Sequence, residues 1–485
     1  MKVLFLNPLR FTRRIGILSD LITSYISTPS LTFAQLAAYI PGNEITVIDG
    51  QVEDISVAAF LDKLKGVDIV AISIRSTYEA KDCEANIRII KKYYPQIKVI
   101  MGGYHATFFY ERWLMLGVDF VLLYEGERYF GQLIECLNKN EDYRCIQNLA
   151  YKDNGKVITN QISPLIDDLD STPIPSFEII NFKNYSAFFP GNSYAGGIEL
   201  SRGCSHQCKF CLTSRYWNFR YRIKSNQRIL KELKLLVDKN VKKIWFYTAG
   251  FGMMPDEDYD LCELIAKSGL GISWRAPVRM DTVLESPGLI KKASGAGMKL
   301  ALVGFESFNE GTIMEFEKTI KSPYNYANFN KAYNILRKNN ILVEGAFIIG
   351  LPGEEENEDF FVPVKFSQVC DFLTIQIYRP NLALLPEILS CKADSEEYKR
   401  LFYFNPYFSS DKKNKNVILK RRRVLFWFYF HPFYIYSRFF LRGRLLRSLY
   451  ARYYGRMFRN LFRKLAIKIT HRDRKKPGIY AETNK

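Results

Sequence analysis

The chain has 485 residues, of which 47% are hydrophobic and 25% are charged, and its formal net charge is +19. This length allows roughly two to four domains, and the apolar fraction is large enough for folded cores that need no disulfide bonds. Nine cysteines, six of them scattered singly, argue against a disulfide framework and indicate a reducing compartment. The apolar run after Met1 ends at Asn7-Pro8, which is too short for a signal peptide, so we expect a cytoplasmic protein.

The first 150 residues alternate short apolar runs with stretches of helical periodicity. The apolar runs are typical of strands buried on both faces of a sheet, and they lie at 2–6, 44–48, 67–74, 98–101 and 118–123. This alternation predicts a doubly wound, flavodoxin-like parallel sheet over residues 1–150. Such sheets bind ligands at the carboxyl ends of their strands, where two glycine-containing motifs fall: Gly102, Gly103 and His105, then Glu125 and Gly126.

A second series of strands follows a proline-rich segment over residues 151–192, which we interpret as a linker. Six further strand-like runs alternate with helical segments, and they lie at 197–200, 243–247, 271–274, 299–303, 342–349 and 372–377. They predict an incomplete TIM-type barrel, (β/α)6, over residues 193–391. Active sites of such barrels lie at the carboxyl ends of the strands.

Three cysteines follow the first barrel strand, with three residues and then two residues between them: Cys204, Cys208 and Cys211. Soft thiolates favour zinc or iron–sulfur centres, and three ligands rather than four leave one coordination position open. Two alternatives stay open at this point. His206 could complete a Cys3His zinc knuckle, or the three thiols could be incidental core residues.

Every other polar or glycine-rich motif of the barrel falls on the same predicted rim. Arg279 follows the third strand, Glu306 and Ser307 end the fourth, and Gly350 follows the fifth. Strand ends often carry glycine simply for turns, so no single motif is decisive. Their convergence with the cysteine loop predicts an active site there.

The cysteine spacing, with Phe210 before the last cysteine, resembles the cluster motif of the radical S-adenosylmethionine (SAM) enzymes. The resemblance covers residues 1–391 and points to the group with an amino-terminal cobalamin-binding domain. It implies a [4Fe-4S] cluster held by Cys204, Cys208 and Cys211, with SAM on the open iron. Reductive cleavage of SAM would then give a 5′-deoxyadenosyl radical, with flavodoxin or ferredoxin as the electron donor.

The same resemblance assigns roles to other positions. Glu306 and Ser307 are similar to a motif that binds ribose, Gly350 belongs to a segment that flanks adenine, and Arg279 matches a position near the nucleoside or substrate. After the second strand, relatives often carry acidic residues where this chain has Thr248-Ala249-Gly250. Substrate identity therefore does not transfer from any relative.

In the first domain, the motifs at Gly102, Gly103, His105, Glu125 and Gly126 resemble those of the cobalamin-binding group. The Asp-x-His-x-x-Gly motif that supplies a lower cobalt ligand elsewhere is absent from the sequence. The resemblance thus implies cobalamin held without histidine, which favours methyl transfer. Arg75, just past the third strand, is then expected near the lower face of the cobalamin. The alternative is a flavodoxin-like domain that binds no cobalamin.

The carboxyl-terminal segment, residues 392–485, is predicted to be a basic helical extension. Residues 412–476 contain 21 Lys or Arg residues and one acidic residue, Asp473. The aromatic stretch 424–436 is bracketed by Arg423 and Arg438 and is shorter than the roughly 20 apolar residues of a membrane span. A basic amphipathic pattern over residues 420–470 instead predicts binding to an anionic membrane surface, on the inner face of the membrane. The alternatives are nucleic-acid binding, which is not expected, and packing on the barrel.

The sequence therefore predicts a cobalamin-dependent radical SAM enzyme that methylates an unactivated carbon of a lipid-like or other secondary-metabolite substrate. One alternative is a radical SAM cyclase or rearrangement enzyme of the Mg-porphyrin cyclase type. An alternative from another class is a zinc-stabilised protein that binds nucleic acid.

Overall fold

The structure is a computed structural model that describes residues 1–10, 28–187, 192–316, 323–351, 362–377, 423–426 and 428–429. These residues form two sheets with helices packed on them and a small two-stranded ribbon. No helix in these ranges is long and apolar enough to cross a membrane.

The amino-terminal sheet has seven strands in the order β2-β1-β3-β4-β5-β6-β7. Its first five strands are parallel, and they are β1 (Lys2–Asn7), β2 (Glu44–Asp49), β3 (Ile69–Ser73), β4 (Lys98–Gly102) and β5 (Phe120–Leu122). Its helices are α1 (Leu31–Ala38), α2 (Val57–Lys63), α3 (Ala80–Tyr93), α4 (Tyr104–Phe108), α5 (Tyr110–Met115) and α6 (Glu127–Lys139).

The interior strands of this sheet are buried on both faces, as their sequences predict, whereas the edge strand β2 is exposed or only partly buried over Glu44–Val47. All five residues of β3 are buried, and separate apolar cores cover the two sides of the sheet. The strand order 2-1-3-4-5 is that of flavodoxin-like folds, with the topological switch point between β1 and β3. The predicted doubly wound fold is therefore confirmed.

The sheet extends beyond residue 150, where the first domain was predicted to end. Strands β6 (Leu149–Asp153) and β7 (Lys156–Thr159) form an antiparallel hairpin that adds to β5. Its turn contains Gly155 with a φ of +79°, a conformation that glycine adopts without strain. The predicted boundary thus falls inside a hairpin, and the irregular connection begins after Thr159 with three short 3-10 turns at Leu169–Ser171, Phe177–Ile179 and Phe182–Asn184.

The second sheet has six parallel strands in the order β15-β14-β13-β12-β11-β8, which confirms the predicted partial (β/α)6 barrel. The strands are β8 (Tyr194–Glu199), β11 (Val241–Tyr247), β12 (Ser273–Val278), β13 (Met298–Glu306), β14 (Leu342–Ile349) and β15 (Phe372–Ile377). The ribbon consists of β9 (Ser201–Arg202) and β10 (Arg222–Ile223). The helices are α7 (Leu212–Tyr216), α8 (Asn226–Asp238), α9 (Pro255–Lys267), α10 (Met280–Glu285), α11 (Pro287–Gly295), α12 (Glu310–Glu315), α13 (Tyr326–Lys338) and α14 (Val362–Val369).

The beginning of the aromatic carboxyl-terminal stretch packs against the barrel. Leu425, Phe428 and Tyr429 are buried in the same core as the barrel strands. The Tyr429 hydroxyl accepts a hydrogen bond from the Leu373 amide at 2.9 Å and lies 3.2 Å from the Leu373 carbonyl. These positions therefore contribute to the core of the barrel, and apart from residues 423–426 and 428–429 the predicted extension lies outside the described residues.

Candidate active site

The three cysteines lie on one excursion at the carboxyl end of β8. The chain leaves the barrel after the ribbon strand β9, passes through residues 203–211 (the thiol loop) and the short helix α7, and returns in the ribbon strand β10. Gly203 opens the loop with a φ of +84°, and a Cβ atom there would lie 1.9 Å from the Arg220 carbonyl oxygen. Only glycine fits this turn, so the sequence Arg-Gly-Cys has a steric as well as a chemical basis.

The thiol loop presents its cysteines at different depths. Cys208 is buried, whereas Cys204 and Cys211 are half-buried. The Cys211 amide donates a hydrogen bond to the Cys208 carbonyl at 3.0 Å, which folds the second half of the loop into a turn. Burial raises the pKa of the Cys204 thiol, while a hydrogen bond from the His206 backbone and the charge of Arg279 oppose that rise.

This donor set suits an iron–sulfur cluster in its chemistry. Three thiols from one loop can hold three irons and leave the fourth open to a further ligand. Within the described ranges, no group of three or more His, Cys, Asp or Glu side chains converges tightly enough to hold a metal ion. The assignment of Cys204, Cys208 and Cys211 as ligands therefore stays a prediction based on their type and placement.

The thiol loop also contacts the segment that follows β13 and α12. The Lys209 amide donates a hydrogen bond to the Phe316 carbonyl at 2.9 Å. The Phe210 ring lies 6.3 Å from the Phe316 ring, centroid to centroid. The first and fourth strand ends of the barrel are therefore joined at the same rim, as the predicted convergence of motifs requires.

Glu306, the residue predicted to bind ribose, has an unusual backbone conformation. It ends β13 with a φ of +62°, in the left-handed region that side chains other than glycine rarely adopt. The next residue, Ser307, is buried, and its hydroxyl accepts a hydrogen bond from the Asn309 amide at 3.1 Å. Strain of this kind concentrates at functional sites, so the observation favours a functional role for Glu306. Gly350, after β14, also has a positive φ of +79°.

Arg279 lies beside the thiol loop but is paired with its own neighbour. Its guanidinium forms a two-point contact with the Asp281 carboxylate, at 2.9 Å from Nε and 2.7 Å from Nη2. The positive charge is close enough to lower the pKa of Cys204. The structure thus places Arg279 on the thiol side of the rim, with one edge of its guanidinium occupied by Asp281. Its role near the nucleoside or substrate stays a prediction.

A crevice marks the switch point of the amino-terminal sheet. A cavity of about 230 Å³ lies at the ends of β1, β2 and β3 and is lined by Asn7, Gln51, Arg75 and Glu79 among others. Ligands of doubly wound sheets bind at this location. Arg75 lines the cavity, and the cavity's polar groups can contact the edge of a cofactor such as cobalamin, which is much larger than the cavity itself.

Two residues predicted to bind the cofactor, His105 and Glu125, form hydrogen bonds with other protein side chains. The Nδ1 atom of His105 accepts a hydrogen bond from the Trp113 indole at 3.1 Å, and the His105 ring stacks on Phe109. The Glu125 carboxylate accepts hydrogen bonds from Arg202 at 2.7 Å and Arg222 at 2.9 Å. Both side chains are buried.

The three predicted glycines of the first domain lie at the ends of β4 and β5. Gly103 has a φ of +99°, and a Cβ atom there would lie 2.5 Å from the Ile74 carbonyl oxygen. A Cβ atom on Gly126 would lie 2.8 Å from the Leu122 Cβ atom, whereas Gly102 has more room. Gly103 and Gly126 therefore permit close packing within the domain, and Gly102 is the one with space for a ligand.

The carboxyl edges of the two sheets face each other, although the sequence did not predict these contacts. The Tyr247 hydroxyl, at the end of β11, lies 2.8 Å from the Thr28 hydroxyl of the first domain. The Tyr185 hydroxyl, in the linker, donates a hydrogen bond to Asp49 at 2.7 Å. A cofactor in the crevice would therefore lie next to the barrel rim. Single tyrosines in a sequence give no signal of such long-range contacts.

A flavodoxin-like domain set against a partial barrel with three rim thiols defines a class of two-cofactor enzymes. Comparison with known proteins agrees with this class. Residues 20–134 match the family model of the B12 binding domain, and residues 198–361 match that of the Radical SAM superfamily.

The chain is also similar along most of its length to individual proteins. An uncharacterized methyltransferase of Pyrococcus horikoshii is 31% identical over 348 residues, which are 71% of this chain and 74% of the relative. The anaerobic magnesium-protoporphyrin IX monomethyl ester cyclase of Rubrivivax gelatinosus is 25% identical over 87% of this chain and 76% of its own.

Among solved structures, the fold is similar to the radical SAM methyltransferase TsrM of Kitasatospora setae with cobalamin and a [4Fe-4S] cluster bound. The TM-score is 0.60 at 14% identity, over 78% of this chain and 72% of that one. The chain therefore belongs to the cobalamin-dependent radical SAM methyltransferase family. Membership implies a [4Fe-4S] cluster, SAM and cobalamin as cofactors, and it argues against the zinc-stabilised nucleic-acid-binding alternative.

Proposed function

We propose that this enzyme transfers a methyl group from SAM to an unactivated carbon of a lipid-like or other secondary-metabolite substrate. The observation that carries the proposal is that the carboxyl edges of the two sheets face each other, one bearing the thiol loop and the other the switch-point crevice. Methyl transfer through cobalamin requires the two cofactor sites to be neighbours, because the same substrate must be reached from both.

The chain's own residues would act mainly by holding and orienting these groups. Cys204, Cys208 and Cys211 would hold the cluster, and Arg75 would line the lower face of the cobalamin. When bound, the cluster supplies the electron for SAM cleavage and cobalamin supplies a carrier for the methyl group. Glu306, at the rim end of β13, would accept hydrogen bonds from the ribose hydroxyls of SAM.

The lipid-like substrate class rests on the basic extension predicted from the sequence. Residues 412–476 carry 21 positive charges against one negative charge, which suits an anionic membrane surface. An enzyme held at that surface meets substrates that partition into lipid. Electrons would come from a flavodoxin or ferredoxin on the aqueous side.

Isotope labelling separates methyl transfer from cyclisation. The anaerobically purified enzyme would be incubated with a reductant, SAM carrying a trideuterated methyl group, and lipid extract. Methyl transfer predicts a lipid product in which one hydrogen is replaced by a trideuteromethyl group, with S-adenosylhomocysteine from the methyl donor and 5′-deoxyadenosine that has taken up the substrate hydrogen. A cyclase, the second candidate that the Rubrivivax relative supports, would also form 5′-deoxyadenosine but would leave the label untransferred and form no S-adenosylhomocysteine.

A further inference from the structure

The excursion that carries the cysteines is closed at its base by two arginines. Arg202 and Arg222 are opposite each other in the antiparallel ribbon of β9 and β10. They therefore stand at the two ends of residues 203–221, which include the thiol loop and α7. Contacts that hold this ribbon in place therefore also hold both ends of the segment that carries the three cysteines.

Both guanidiniums converge on one carboxylate of the other domain. Arg202 Nη1 donates to Glu125 Oε1 at 2.7 Å, and Arg222 Nη1 donates to Glu125 Oε2 at 2.9 Å. The side chains are only 4% exposed for Arg202, 5% for Arg222 and 2% for Glu125. The Ile166 amide of the linker also donates to Glu125 at 2.7 Å. The Glu125 carboxylate of the first domain thus contacts both the linker and the base of the excursion.

Further charges surround Arg202. Its Nη1 atom also lies 2.7 Å from Glu127, and its Nε atom donates to Glu199 at 3.0 Å. The Trp217 ring lies 5.8 Å from the Arg202 guanidinium and 5.1 Å from that of Arg222. Buried ion pairs contribute little net stability relative to apolar packing. Removing one partner nevertheless costs much stability, because the other charge stays buried without a counter-charge. Orientation of the excursion is therefore a better explanation for these buried charges than a contribution to the stability of the fold.

The far side of the excursion rests on the same domain. The Tyr216 hydroxyl donates a hydrogen bond to the Tyr124 carbonyl at 2.9 Å. The Trp217 indole donates to the Tyr104 hydroxyl at 3.0 Å, and the Tyr104 and Tyr216 rings are 4.1 Å apart. The excursion therefore contacts the amino-terminal domain at its base and again at α7, on either side of the thiols in sequence.

We propose that Arg202 and Arg222 are positioning residues for the thiol loop. Held by Glu125, they fix the loop to the amino-terminal domain, so that the cluster ligands and the cobalamin crevice keep one relative placement. Neither arginine would touch the reacting atoms. The proposal concerns only the placement of the loop, so it stands or falls independently of which molecule is methylated.

Hydrogen exchange measured by mass spectrometry on the anaerobic holoenzyme tests this proposal. In Glu125→Gln, we expect amides of residues 203–217 to exchange at least tenfold faster, while those of β12, β13 and β14 keep their wild-type rates. The matched control is Arg220→Gln, which removes an exposed ion pair with Asp167 in the same excursion. We expect this control to leave the exchange of residues 203–217 unchanged.

A spectroscopic readout separates orientation from general stability. In Arg202→Lys, which keeps the charge and loses the planar fork, we expect an altered electron paramagnetic resonance spectrum of the reduced cluster at unchanged iron content. Wild-type exchange in residues 203–217 of Glu125→Gln would overturn the proposal, and so would a uniform increase along the whole chain. If Glu125→Gln does not fold, hydrogen exchange is measured on Arg202→Lys instead. Faster exchange confined to residues 203–217 supports the proposal, and wild-type or uniformly faster exchange overturns it.

Discussion

The Arg275 guanidinium lies 3.2 Å from the Glu344 carboxylate on the inner face of the barrel sheet, and both side chains are buried. The guanidinium also stacks on Trp245, 3.4 Å from the ring centroid. Thr374 donates a hydrogen bond to the other Glu344 oxygen at 2.7 Å. Among the described residues, Arg275 Nε has no hydrogen-bond partner. The barrel thus contains a buried charge pair in place of the apolar layers that fill many such barrels.

Replacing one partner of this pair should be more harmful than replacing both. We expect Arg275→Met to lower the free energy of unfolding by about 3 kcal/mol, because it leaves the Glu344 carboxylate buried without a counter-charge. The double variant Arg275→Met with Glu344→Gln should recover more than half of that loss. Urea denaturation measures both effects. Lys65→Met, in the exposed pair with Asp62, is the control and should leave the midpoint unchanged. Equal losses in the single and double variants would contradict this account.

At Glu306, the effect of backbone strain on stability can be measured separately from the predicted role in binding SAM. Glycine tolerates the positive φ at this position, so we expect Glu306→Gly to gain up to about 1 kcal/mol of stability. The same substitution should weaken SAM binding at least tenfold, because the carboxylate is lost. Glu306→Ala is the control: it also removes the carboxylate but keeps the strain. Calorimetric titration with SAM and denaturation measure the two effects, and unchanged SAM affinity in both variants would exclude the ribose role.

Asp258 should make stability depend on pH. Burial raises its pKa from 3.8 to about 7, although amides of Gly252 and Met254 hydrogen-bond to the carboxylate and oppose the rise. Because the folded pKa lies above the unfolded value, the folded state binds more protons between these values. Stability from this group is therefore present below pH 3.8 and declines as pH rises toward 7.

The corresponding variant is Asp258→Asn, which does not titrate. One unit of pKa shift corresponds to about 1.4 kcal/mol, and partial solvent contact reduces the expected effect to about 2 kcal/mol. Melting temperatures at several pH values between 4 and 8 should show the wild type losing stability relative to Asp258→Asn as pH rises. The exposed Asp256→Asn, on the same helix, is the control. Parallel profiles for Asp258→Asn and the wild type would contradict the shifted pKa.

The basic extension should bind anionic membranes in a salt-dependent manner. The full-length protein should float with phosphatidylserine-containing vesicles at low salt and be released at high salt, because charge screening weakens the attraction. Replacing Arg452, Arg456, Arg459 and Arg463 with glutamine should abolish flotation. Vesicles of neutral lipid are the control. Retention on labelled RNA without binding to vesicles would favour the nucleic-acid alternative instead.

Much of the fold could be predicted from the sequence because parallel strands are buried on both faces. Such strands appear as continuous apolar runs, and two of the predicted runs, at Leu342–Ile349 and Phe372–Ile377, match the observed strands residue for residue. The thiol loop could be placed because its spacing follows the first barrel strand. Backbone requirements such as that of Gly203 agree with that placement.

Contacts between domains could not be predicted in the same way. The ribbon strands β9 and β10 have two residues each, which is too short for any periodicity. Glu125 and Arg202 are 77 residues apart, so nothing local indicates that they meet. The sequence therefore predicts cofactor binding by Glu125 and His105 but gives no signal of the hydrogen bonds that Glu125 forms with Arg202 and His105 with Trp113.

The metal content of the purified protein tests the central claim most directly. After anaerobic purification, the account predicts about four irons and four sulfides per wild-type chain, and their loss in Cys208→Ala. Cys262→Ala, a buried cysteine of α9 away from the thiol loop, should keep the full iron content. Zinc in place of iron in the wild type, or full iron content in Cys208→Ala, would contradict the account.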